Sequence, residues 1–264
     1  MKNNTLKKIV DVFSETRKEK NLILKISILS LLMFLSIYVL SLVYNWLIIK
    51  NQLALSKSSL SVTPQIIVIL LFSFVYSCIV IFIYSVFKIM AINLTQKKKI
   101  NRKIFYYLGN FFILNLIIFF GGSAAFLILG TIINYTFNGR IIPYSVYLFI
   151  FLLFTYGATN FTQIEFLKGA KKIKAIRNGV KDFFLNFKKY ALLIFINFIV
   201  IAGILTFFLF LKMIYKIIFF KNNTQIIKPT AYEAAFFFIF YFVIIFMMSN
   251  NLYFFNKIVK EKSL

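Results

Sequence analysis

No histidine occurs anywhere in this chain, and cysteine occurs once, as Cys78. The first absence removes imidazole acid–base catalysis, Ser-His-Asp and Cys-His nucleophile pairs, and histidine metal sites. The second removes any intramolecular disulfide. Acidic residues are scarce too: 7 Asp and Glu stand against 31 Lys and Arg, a net charge of +24. No Asp or Glu falls in the middle of a long apolar run, where ion-coupled pumps carry such groups. There is no P-loop, HExxH or GxSxG signature. These absences leave no catalytic constellation and no cofactor site, so the expectation is a protein that is not an enzyme.

What is abundant is apolar side chain. Hydrophobic residues make up 61% of the 264 positions and aromatics 20%, with a mean hydropathy of +0.87. A water-soluble domain of this size has too little interior to hide so much. Six apolar runs, at about 22–49, 65–92, 111–134, 143–162, 190–211 and 231–254, reach the ~18 residues that a membrane-crossing helix needs. The ten-residue alternation of a membrane β-barrel is not seen. The three prolines agree with these limits. Pro64 and Pro143 suit the first turns of the second and fourth runs, and Pro229 precedes the sixth. The first run is too long for a signal peptide and reads as a retained anchor.

The basic residues cluster between the runs, which favours anionic lipid headgroups over nucleic acid. Residues 1–21 place Leu6, Ile9, Val10 and Phe13 at helical spacing. A second basic segment, 96–110, holds Lys97, Lys98, Lys99, Arg102 and Lys103. A third, 167–189, holds Lys171, Lys172, Lys174 and Arg177 beside a stripe of Ala170, Ile173, Ile176, Val180, Phe183 and Phe187. Each reads as a basic amphipathic helix lying on the membrane surface. With both termini inside, 24 of the 31 basic residues face the cytoplasm and 7 face out. The positive-inside rule therefore places both termini in the cytoplasm, here of the cell membrane.

A short pattern recurs. Ala91-Ile92-Asn93-Leu94-Thr95-Gln96 and Ala158-Thr159-Asn160-Phe161-Thr162-Gln163 each close an apolar run, and Ser249-Asn250-Asn251-Leu252-Tyr253 echoes them. An aromatic residue sits nine positions before each Asn, as Tyr84, Phe151 and Phe242. The expected architecture is all-α: six transmembrane helices as three hairpins, each preceded by a basic interfacial helix, in one membrane domain. The repeat units are 1–96, 97–166 and 167–264. Such units would be related by an axis along the membrane normal.

Two readings attach to the polar residues. Asn93, Thr95, Gln96, Asn160, Thr162 and Gln163 either terminate helices, with Thr and Gln satisfying free carbonyls, or form a headgroup or ligand site. Asn115 and Asn197 lie within runs, each six residues before a glycine (Gly121, Gly203). They either bond helix to helix or line a conduit. The small residues Gly121-Gly122-Ser123-Ala124-Ala125 suit close helix approach. Glu233 stands near an outer helix end, with Lys212 and Lys216 in reach for an ion pair. The expected partners are membrane lipids with anionic headgroups, together with a protein partner of unspecified kind. The two functional classes are an organiser of such partners and a transporter or lipid-handling conduit along the repeat axis.

The layout, with Phe183, Phe187, Lys188 and Lys189 just before the fifth run, loosely resembles six-helix prokaryotic membrane proteins. Among these is the membrane region that accompanies some glycerophosphodiester phosphodiesterases. The catalytic domain of those enzymes has no counterpart here, and the resemblance implies no activity.

Overall fold

A computed structural model describes residues 19–56, 62–96, 103–137, 141–187 and 231–261, with scattered helical positions between 195 and 210. Every element among them is a helix: α1 (Lys20–Ser56), α2 (Val62–Thr95), α3 (Lys103–Thr136), α4 (Ile141–Leu167), α5 (Lys172–Leu185) and α6 (Ala231–Glu261). Four stretches are long and apolar enough to cross a membrane: Lys20–Lys50, Ile66–Thr95, Tyr107–Thr136 and Ser145–Leu167. They coincide with the first four runs. The described chain divides into two compact units, residues 28–184 and residues 1–27 with 185–264.

In the larger unit, neighbouring helices run antiparallel. Ser41 and Tyr44 of α1 meet Tyr76 and Ser73 of α2. Phe74 and Phe82 of α2 meet Phe120 and Phe112 of α3. Phe111 and Phe126 of α3 meet Phe166 and Phe151 of α4. The end of α2, the start of α3 and the end of α4 therefore lie at one end, called the basic end below.

Burial follows the logic of a lipid solvent. Large apolar side chains point outward along most of α1 to α4, as with Leu127 at 65% exposure, Leu70 and Trp46. The fully enclosed ones gather toward the basic end: Ile89, Ile92, Phe111, Leu114, Phe161 and Ile164. Hydroxyls along the spans return to their own helix. Ser36, Ser73, Ser77 and Thr131 each donate to the carbonyl four residues back, which satisfies them where no water is present.

Several expected boundaries move. The 158–163 copy does not end its helix: α4 continues to Leu167, and the turn is made by Gly169 at φ +106°. There Gly169 N–H donates to Phe166 O at 2.9 Å and Ala170 N–H to Glu165 O at 3.3 Å, the paired bonds of a Schellman cap that glycine closes without steric cost. The 249–253 echo likewise lies inside α6, not at its end. In the second basic segment, residues 103–110 are the first turns of α3 rather than a separate surface helix. Lys97, Lys98, Lys99, Arg102, Lys212 and Lys216 lie outside the described residues, as do the side chains of Lys103 and Glu233.

Candidate functional site

The larger unit holds a continuous set of polar side chains near the basic end, contributed by three helices. Gln163 of α4 is completely buried. Its Nε2 donates to Asn115 Oδ1 of α3 at 2.8 Å and to Tyr84 Oη of α2 at 3.1 Å. Asn115 Nδ2 passes the chain on to Ser85 Oγ at 2.8 Å, and Ser85 donates to Ile81 O of its own helix at 2.7 Å. Each amide thus finds a partner on another helix, and the chain ends on a backbone carbonyl. Such bonds are worth about 0.6–2 kcal/mol each in membranes. Amides and hydroxyls that end on a backbone carbonyl make a clamp.

Beside the clamp, Lys88 Nζ donates to Asn160 Oδ1 at 2.8 Å, while Asn160 Nδ2 donates to Tyr156 O. No carboxylate among the described residues pairs with Lys88. Lys88 lies inside the α2 span, about two turns from its end.

The third polar residue of this copy, Thr162, holds α5. A Cβ added to Gly179 would lie 2.5 Å from Thr162 N and 2.6 Å from its Cα, so α5 meets α4 backbone to backbone. Ala175, Gly179, Asp182 and Phe183 form the docked face, with Phe183 edge-on to Phe154 at 5.0 Å. This corrects part of the apolar stripe expected from sequence: Phe183 is buried, but Ile173 is 83% exposed and Phe187 is exposed as well, and Ala175, Gly179 and Asp182 share the buried face. The polar face is turned away. Lys171, Lys174, Arg177 and Lys181 are exposed, with Lys172 half-buried.

These cations line one side of an open groove of about 1040 Å³. Tyr107, Asn110, Ile113 and Ile117 of α3 line the other side, with Phe166 and the Gly169-Ala170 turn between. Glu165 stands off the lining, 3.9 Å from Lys168 and 3.5 Å from Asn178.

The first copy of the motif behaves otherwise. Asn93 Nδ2 donates to Ile89 O at 2.9 Å and Thr95 Oγ1 to Ile92 O at 2.6 Å, both in α2. Gln96 follows the helix end, and its Nε2 and Oε1 are buried with no hydrogen-bond partner among the described residues. In the smaller unit Asn197 donates to Asn251 Oδ1 at 2.7 Å. Gly121 faces open space and Gly122 makes an ordinary contact with Thr155 at 3.8 Å, so the small-residue patch is not a close crossing.

Of the residues picked out in the sequence, Asn115, Asn160, Thr162 and Gln163 come together, whereas Asn93 and Thr95 each donate to a carbonyl of their own helix. Tyr84, Ser85, Lys88 and Gly179 had no such role in the sequence reading. The only signal for Gly179 is a small residue four positions after Ala175, which repeats one small face of a helix. Among the described residues no three His, Cys, Asp or Glu gather to hold a metal. No family model, curated protein or solved structure matches the chain.

Proposed function

We propose that this chain is a non-enzymatic, multi-pass membrane protein that organises partners at the cytoplasmic face, chiefly lipids with anionic headgroups. One observation carries the reading. A cation-rich helix, α5, is fixed backbone to backbone against a membrane-crossing helix and turns Lys171, Lys174, Arg177 and Lys181 outward at the span's end. A helix present only to set topology needs no such seat. Each cation beside an anionic leaflet contributes about 1 kcal/mol, so four on one fixed face make a strong anionic surface.

The polar clamp supports an organiser over a conduit. Asn115 and Asn197, the amides that would line a path, are each bonded to a neighbouring helix. The six-span arrangement of three hairpins, with both termini in the cytoplasm, completes the proposal. Cysteine labelling at positions 57 and 172, in a Cys78→Ser background, should place the two on opposite sides, with 172 inside. Labelling of both from one side would overturn that topology.

The functional test is mass spectrometry of what stays with the protein from its native membrane in mild detergent. Enrichment of anionic lipids over the bulk membrane is the expected result. A stoichiometric polar solute with no lipid enrichment would favour the conduit.

A further inference from the structure

The groove between α3 and α5 has three properties that together specify an occupant. Its charge is one-sided: Lys171, Lys172, Lys174, Arg177 and Lys181 line it, with no carboxylate among the described residues of the lining. None of the five forms an ion pair among the described residues: Asp182, next to Lys181 in sequence, is buried on the docked face of α5, and Glu165 is engaged by Lys168 and Asn178. Its volume of about 1040 Å³ stands at the top of the about 300–1,000 Å³ of small-molecule pockets, more than a free phosphate fills.

The third property is its gradient. The α3 wall steps from Tyr107 and Asn110 to Ile113 and Ile117, along one helix face. Tyr107 begins the membrane-crossing stretch of α3. Ten residues on, Ile117 lies ~15 Å further along the axis, about half of the ~30 Å hydrocarbon core. The groove therefore starts at the membrane boundary and keeps an apolar α3 wall one leaflet deep, with the α5 cations on its other wall. An acidic peptide matches the cations and not the apolar wall.

We propose that this groove binds one anionic phospholipid from the surrounding leaflet. The phosphate is held by the α5 cations and an acyl chain lies along Ile113 and Ile117. Arg177 supplies the planar fork that fits two phosphate oxygens, and the lysines act as point charges around it. The proposal rests on the organiser reading and sharpens it from a charged surface to a single site.

The test is native mass spectrometry of the full chain released from nanodiscs of phosphatidylcholine and phosphatidylglycerol. The wild type should retain one phosphatidylglycerol per chain. Arg177→Gln with Lys181→Gln should cut that retention at least tenfold. Ile117→Trp should cut it as well, although every cation remains. Lys25→Gln, a basic change outside the groove lining, should leave it unchanged. All these side chains are exposed or half-buried, and an unchanged melting temperature in each variant confirms an intact fold.

Retention that survives Arg177→Gln/Lys181→Gln overturns the site. So does displacement of the lipid by soluble glycerol phosphate or by an acidic peptide at equal concentration. General enrichment of phosphatidylglycerol without one retained molecule sinks the site and leaves the organiser reading standing. No enrichment of any kind sinks both.

Discussion

The two copies of the Ala-x-Asn-x-Thr-Gln pattern are nearly identical in sequence and opposite in use. In 91–96 the side chains end a helix: Asn93 and Thr95 bond carbonyls of α2, and the Gln96 amide is buried without a partner among the described residues. In 158–163 the same residue types sit inside a helix that runs on to Leu167, and they reach sideways. Asn160 accepts from Lys88, Thr162 carries Gly179, and Gln163 joins Asn115 and Tyr84. Only Asn keeps a constant habit, donating in both copies to the carbonyl four residues back. The rest is set by what packs against the motif. The second copy has neighbours on two further helices and a glycine in α5, while the first stands at a helix end.

The sharpest way to break this contrast is at Gly179. Any side chain there meets the Thr162 backbone, which cannot rotate away as a flexible side chain can. Gly179→Leu is expected to undock α5 and cost about 3 kcal/mol, the upper part of the range for overpacking. The melting temperature in detergent should fall, and trypsin should cut faster at Lys171 and Lys172. Gly121→Ala, in open space, is the matched control and should change neither. A Gly179→Leu protein with wild-type melting would mean that α5 is not seated on Thr162.

Next in size is the glutamine pair. Gln163→Leu leaves the Asn115 Oδ1 without its donor and Tyr84 without its bonds, a loss of about 1–2 kcal/mol. Gln96→Leu removes an amide whose two ends are buried and have no partner among the described residues, so it should be neutral or gain about 1 kcal/mol. Unfolding of both variants under the same detergent conditions gives the comparison directly. Equal losses would erase the distinction between the copies.

Lys88 bears on the second copy alone. Its ammonium has a neutral amide as partner and no carboxylate among the described residues. A cation at mid-bilayer costs about 2.5–3.5 kcal/mol, and less near a span end, where the side chain reaches toward the headgroups. Lys88→Met should therefore raise stability by about 1 kcal/mol, read as a higher melting temperature. A clear decrease would show that the ammonium holds an anion that stabilises the fold.

The all-helical class and the first four spans were legible because lipid imposes one strong rule: some twenty apolar residues in a row, with the backbone bonded internally. Helix ends were less legible. Asn160 to Gln163 look like a terminator, yet the cap is built by Gly169, further along the chain, through a positive φ that only the folded turn displays. The face of α5 was legible in part for a related reason. An apolar stripe is the right guide to packing in water. Beside a membrane, Ile173 gains nothing by turning inward, and Ala175, Gly179 and Asp182 share the buried face with Phe183 of the stripe. Of the clamp, the amides were visible as polar residues in apolar runs; that Asn115 meets Gln163 depends on helix register, which spacing along one chain does not carry.

The smallest expected effect tests whether that register has consequences. Asn115 and Asn197 share a spacing to glycine, and each bonds across to another element, but among the described residues Asn115 has two partners on two helices and Asn197 one, Asn251. Asn197→Leu should cost about 0.6 kcal/mol, the average for a single interhelical bond in a membrane protein. Asn115→Leu should cost about twice that. A double-mutant cycle of Asn197→Leu with Asn251→Leu isolates the pair from side-chain volume, and its coupling should account for the Asn197 loss. A coupling near zero would mean that the Asn197 bond adds nothing to the fold. The two asparagines would then be alike in spacing only, with Asn115 alone set where a polar side chain holds three membrane helices in register.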